Sequence, residues 1–237
     1  MFKKIGLSVI CAVSMGILSQ QVYAGNEGKT IVQQGFDPQS VVFVTNRDSS
    51  DIAVIDMKTN QVIDRIACGD RCNPHMTMAT MDGKRLLTTG TQKNYAVIVD
   101  LKTREIKKVR LGIAPEHFVI SHDGKWAYIG NMEEGTVSVV DLINGKEINR
   151  ISGFNEPHGF SMLPDMSKVY VSNLGAHEIG VIDVKSQKLI KTIYIGNTHV
   201  LASLNLDKRL SEINGIVNPT LTLDGRYLYA ADGDSNQ

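Results

Sequence analysis

Short apolar runs of β character, separated by polar turns, follow one another along most of the chain. Around His158 they read "HGFSML", "KVYVSN", "EIGVIDV" and "KLIKTIYI". Val, Ile and Tyr dominate them, residue types that suit a pleated, half-buried surface. An aspartate closes the third run of each group, at Asp56, Asp100, Asp141 and Asp183, so the pattern repeats every 44, 41 and 42 residues. Asp82-Gly83, Asp123-Gly124 and Asp224-Gly225 stand between first and second runs, with Pro164-Asp165 in their place once. Such pairs favour tight hairpins. A period near 40 residues built of four short β runs predicts an all-β fold of four-stranded antiparallel blades, a β-propeller. No helical periodicity competes over most of the chain.

The second runs "VFVTN" (42–46), "YIGN" (128–131), "YVSN" (170–173) and "LYAAD" (228–232), together with the x-P-H, D-G-K and V-I-D-x-K-T elements, resemble YVTN-type β-propeller repeats. That broad group includes binding proteins, lactonase-like enzymes and the haem d1 domains of cytochrome d1-like proteins. The resemblance covers nearly all of the chain after the leader and implies a seven-bladed ring. Here a loose first blade, three full blades and two strands of a fifth are countable, about four and a half blades, and the chain stops at "AADGDSNQ" where a third strand is due. The expectation is a fragment or a truncated product, with a propeller domain over 29–237.

The first 24 residues do not fit the repeat. Lys3 and Lys4 precede an apolar run from Ile5 to Leu18, and "VYA" at 22–24 offers small residues for cleavage. This is the pattern of a secretory signal peptide, too short for a bilayer span, and it predicts a periplasmic or secreted protein. The full chain is neutral, and loss of Lys3 and Lys4 leaves −2. With no basic block, nucleic acid is not an expected partner. No later apolar run is long enough to span a membrane.

His75, His117 and His158 recur 42 and 41 residues apart, each near the start of a first strand. In a propeller those strands line the channel, so the three rings point to one face as candidate cofactor or metal ligands. Scaffold is the competing role, with imidazoles bonded to neighbouring backbone. Aligned by its turn and its "NP", "GIVNPTLTLDG" puts Thr220 in the histidine position of the fifth repeat. An insertion at 197–214 carries His199, a further candidate metal ligand, and His177 falls on the same face. His122 lies in the opposite turn. Glu116 and Glu156 are carboxylates at the channel mouth, able to orient imidazoles or to sit as solvated charges.

"CGDRCNPH" (68–75) lacks the C-x-x-C-H spacing of c-type haem attachment. Export favours a Cys68–Cys72 disulfide clipping the blade entry. The methionines of "HMTMATM" read as packing. No Gly-rich phosphate loop, G-x-S-x-G elbow or H-E-x-x-H helix occurs. The leading expectation is a binding or accessory module of a periplasmic redox system, holding a metal, a haem or a partner (a protein or small molecule) at the histidine face. Haem d1 and copper are the candidate cofactors. The alternative is an enzyme: a cytochrome d1-like or copper-dependent reductase, with a lactonase-like hydrolase behind it.

Overall fold

The computed structural model describes residues 37, 40–195 and 215–232. Residues 1–24, the expected leader, and residues 197–214 with His199 lie outside the described residues.

Among the described residues, seventeen strands form five antiparallel sheets in which each strand pairs with its neighbour in sequence. The first sheet is β1 (Val41–Asn46), β2 (Asp51–Asp56) and β3 (Gln61–Ala67). Three four-stranded sheets follow. They are β4 (Pro74–Ala79), β5 (Arg85–Gly90), β6 (Tyr95–Asp100) and β7 (Ile106–Arg110); β8 (Pro115–Ile120), β9 (Trp126–Asn131), β10 (Thr136–Asp141) and β11 (Lys146–Ser152); and β12 (Pro157–Met162), β13 (Lys168–Asn173), β14 (Glu178–Asp183) and β15 (Lys188–Tyr194). The last sheet holds β16 (Ile216–Leu221) and β17 (Leu228–Asp232).

The sheets stack face on face, with three apolar clusters between successive blades. The third strands β6, β10 and β14 bury nearly every residue, because both of their faces meet a neighbouring blade. The fourth strands β7, β11 and β15 carry exposed positions along their length, as outer edges do. The first strands β4, β8, β12 and β16 pack in sequence against one another. They line the inner side, as the repeat predicts.

The sequence markers have local causes. The Asp100 carboxylate accepts the backbone N–H of Lys102 at 2.9 Å and of Thr103 at 2.7 Å. The Asp141 carboxylate does the same for Ile143 and Asn144 at 2.8 and 2.9 Å. These side chains mimic a turn of backbone and stop the third strand. Gly83, Gly124 and Gly225 take φ of 66°, 68° and 68°, and Met166 takes 58° where Pro164-Asp165 replaces the Asp-Gly pair.

Blade-to-blade bonds come from the penultimate residue of the second strand. Thr45 Oγ1 donates to the His75 carbonyl at 3.2 Å, Thr89 Oγ1 to the Glu116 carbonyl at 2.6 Å, and Ser172 Oγ to the Val217 carbonyl at 2.8 Å. Gly130 holds that position in β9, and a Cβ there would overlap the Pro157 carbonyl. The chain comes too close at this one joint for a side chain.

Candidate functional site

Each first strand carries a bulge just after its opening residue. In β4 the pairing runs from Pro74↔Gly90 to Thr77↔Thr88, leaving His75 and Met76 opposite Thr89. In β8 it runs from Pro115↔Asn131 to Phe118↔Ile129, and in β12 from Pro157↔Asn173 to Phe160↔Val171. His75 and His158 therefore occupy the first bulge position, while His117 occupies the second and Glu116 the first. The even spacing conceals a one-residue offset. In β16 the bulge lies between Ile216 and Pro219, so Val217 and Asn218 fill the two positions. Thr220 pairs with Tyr229 beyond the bulge, which corrects its alignment with the histidines.

The offset brings the rings together. His75 and His117 have ring centroids 4.8 Å apart, and His117 and His158 have theirs at 3.8 Å, edge to face. All three are half-buried. His117 Nδ1 lies 3.1 Å from His158 Nδ1, and His158 Nδ1 lies 3.0 Å from the Val217 carbonyl oxygen. A carbonyl only accepts, so His158 carries its proton on Nδ1 and shares it between Val217 and His117. His117 then accepts at Nδ1 and holds its own proton on Nε2. The His158 Nε2 lone pair is left facing away from these partners, and among the described residues nothing bonds it. His75 Nδ1 is buried with no hydrogen-bond partner, while its Nε2 lies 3.8 Å from Glu116 Oε2.

Burial, then the neighbouring His158 and His75, pushes the His117 pKa down to about 4. Burial also lowers that of His75, against the pull of the Glu116 carboxylate. Both rings are neutral at pH 7, the form in which imidazole coordinates a metal.

Among the described residues, no three of His, Cys, Asp and Glu come together as a group able to enclose a metal ion. The buried, unpartnered His75 Nδ1 and the unbonded His158 Nε2 are imidazole nitrogens of the kind that would hold a haem iron or a metal ion.

The two other described histidines, His122 and His177, have structural partners. His177 Nδ1 meets both carboxylate oxygens of Asp232, at 2.8 and 2.7 Å, bracing the fourth sheet against the fifth. His122 Nδ1 meets the Pro164 carbonyl at 3.2 Å in the opposite turns. Glu156 is exposed, and of the methionines Met76 packs into an interblade cluster while Met81 is 79% exposed. Cys68 and Cys72 are both buried free thiols, and the expected bridge between them is open. Sequence reasoning passed over Asp232. Its signal was present, since an aspartate stands where β1, β9 and β13 end in Asn46, Asn131 and Asn173.

Residues 36–236 match the family model described as "Cytochrome D1 heme domain". No curated protein matches the chain. Among solved structures, Kuenenia stuttgartiensis hydrazine synthase is similar with a TM-score of 0.67 at 20% identity, over 81% of this chain and 52% of that one. The dihydro-haem d1 dehydrogenase NirN in complex with DHE gives 0.59 at 16%, over 83% and 40%. The virginiamycin B lyase from Staphylococcus aureus gives 0.65 at 15%, over 83% and 61%. The chain thus spans between two fifths and about three fifths of these proteins. At such identities they show the fold, a β-propeller, as the repeat predicted.

Proposed function

Because this chain belongs to the cytochrome d1 haem domain family, we propose that it is an exported, d1-type propeller that binds a haem at its histidine face and serves a periplasmic redox system as a binding module. The observation that carries this reading is the contact of His158 Nδ1 with the Val217 carbonyl oxygen at 3.0 Å and with His117 Nδ1 at 3.1 Å. The Val217 carbonyl fixes the proton on His158 Nδ1 and so presents the Nε2 lone pair. A hydrogen bond at the far nitrogen orients a ligating imidazole and raises its basicity. His158 would then hold the haem iron, with His117 positioning it and His75 with Glu116 forming the polar end of the column. When bound, the haem would supply one-electron chemistry. The chain would supply an imidazole nitrogen from His158 beside the half-buried, neutral His117 ring.

The leader-like segment supports export, and among the described residues no helix is long and apolar enough to cross a membrane. An enzymatic d1-type role rests on the same site and would add a substrate at that face.

The test is the visible spectrum of the purified full chain, with elemental analysis for iron, copper and zinc, followed by titration with haem. A stoichiometric haem band that is lost in His158→Ala and weakened in His117→Ala supports the assignment. A folded protein that takes up no haem, or one whose spectrum is unchanged in all three histidine variants, refutes it.

A further inference from the structure

Each joint between successive blades brings two different faces together. The forward face of one sheet, from which Thr45, Thr89 and Ser172 reach out, meets the rear face of the next. Alternate residues of the second strands belong to one face or the other. The third position is forward, and it holds Phe43 in β1, Leu87 in β5 and Tyr128 in β9. All three pack into the clusters between blades. The second and fourth positions are rearward, and in β5, β9 and β13 they are fully buried. Between the third and fourth sheets, Tyr128 thus packs in one cluster with Val169 and Val171.

The two ends of the stack expose one half of this joint each. Val42 and Val44 hold the rear positions of β1 and are 43% and 39% exposed. Val62 of β3 shares their face through Ile55 and is exposed beside them. Arg65 and Asp51 on that face are already paired at 3.1 Å, so their charges are matched. At the other end, Tyr229 holds the forward position of β17, counted back from Asp232, and is 63% exposed. Thr220, its partner on β16, is exposed with it. The free faces therefore offer a tyrosine at one end and a pair of valines at the other. They repeat the chemistry of Tyr128 against Val169 and Val171.

Exposed apolar faces of this kind mark interaction sites. We infer that two copies of this chain associate head to tail, the forward face of the last sheet in one copy packing on the rear face of the first sheet in its partner. Tyr229 takes the place of Tyr128, and the partner's Val42 and Val44 take those of Val169 and Val171. The contact continues the stacking already made between blades of one chain. A two-stranded sheet meets a three-stranded one, less than the joints between four-stranded sheets, so the association is reversible. Because the interface is heterologous, each dimer keeps one free face of either kind, and further copies add unless a ring closes. The association stands apart from the haem reading and can be tested on protein without haem.

The experiment is sedimentation velocity of the full chain from micromolar to submillimolar concentration. Wild type is expected to gain mass as concentration rises. Val44→Arg blocks only the rear face and Tyr229→Arg only the forward face, and each should need about tenfold more protein to reach the same mass. Mixed together, the two variants should form a heterodimer, since one keeps a sound forward face and the other a sound rear face. Such rescue distinguishes a head-to-tail joint from a symmetric one. Wild type that stays monomeric overturns the inference and leaves both faces to other parts of the same chain. Association that survives both substitutions overturns it, as does a loss that mixing fails to rescue. Circular dichroism checks that the variants fold, and Val44→Ser with Tyr229→Ser repeats the mixing test with neutral side chains.

Discussion

Acid should loosen this propeller between pH 6.5 and 4 through His117, before its turn carboxylates begin to titrate. In the unfolded chain the imidazole takes a proton near its ordinary value of 6.5, whereas in the folded protein it resists until about 4. In that window the unfolded state holds more protons, so stability is complete above pH 6.5 and is lost as pH falls toward 4. The difference corresponds to about 3 kcal/mol at full weight. The ring keeps some solvent contact, and screening reduces the expected loss to about 2 kcal/mol. His75, its pKa lowered chiefly by burial, adds a contribution of the same sign. Turn carboxylates such as Asp56 and Asp100, held low by their turn hydrogen bonds, give way at lower pH.

The assay is urea denaturation of metal-free and haem-free protein at intervals from pH 7.5 to 4, for wild type and His117→Asn. The variant is less stable at pH 7, because it loses the ring contacts with His75 and His158. The diagnostic quantity is the slope, which should be shallower by about 2 kcal/mol across the window. If the two proteins lose stability in parallel, the proton is taken up elsewhere and the neutral, crowded His117 is refuted.

Gly130→Ala should destabilise by about 1–3 kcal/mol in the same assay, since its Cβ would overlap the Pro157 carbonyl; a neutral result would show that the blades can move apart. Gly124→Ala should cost about 1–2 kcal/mol, because φ is 68° there and the added Cβ meets Thr80 Cβ at 3.3 Å. Asp141→Ala should lose about 1 kcal/mol as two turn N–H groups lose their acceptor, read as a lower thermal midpoint. Asp232→Ala, which removes the buried partner of His177, should be the most damaging of these, at about 3 kcal/mol, with Asp232→Asn in between.

What the sequence disclosed was what depends on near neighbours. Asp100 and Asp141 could be read as strand ends because a carboxylate bonds the N–H groups two and three residues ahead. Asp123-Gly124 could be read as a turn because φ near 68° favours glycine. The inward placement of the histidines followed from strand order alone. Their mutual geometry did not, because the bulge that puts Glu116 rather than His117 in line with His75 and His158 is set by pairing with β9. Counting residues between histidines gave 42 and 41 and suggested equivalence where there is an offset. The pairing of His177 with Asp232 spans 55 residues and crosses from one blade to the next. Only the departure from asparagine in "LYAAD" hinted at it.

The packing between blades and the chemistry of the site meet at one residue type. Between the second and third sheets, Thr89 reaches across to the Glu116 carbonyl, and the neighbouring rings stand 4.8 Å apart. Between the third and fourth sheets, Gly130 replaces the hydroxyl residue and the β9 backbone presses against the Pro157 carbonyl. There the rings close to 3.8 Å and the two Nδ1 atoms come within hydrogen-bonding distance. A hydroxyl at position 130 would widen this joint toward the spacing of the other, separate His117 from His158, and leave the His158 proton to Val217 alone. Gly130→Ser therefore distinguishes a role for the close pair from a role for three separate rings. If the pair positions the ligand, haem affinity should fall although every histidine remains. If affinity is unchanged in a folded variant, His158 and Val217 suffice, and the contact with His117 is packing.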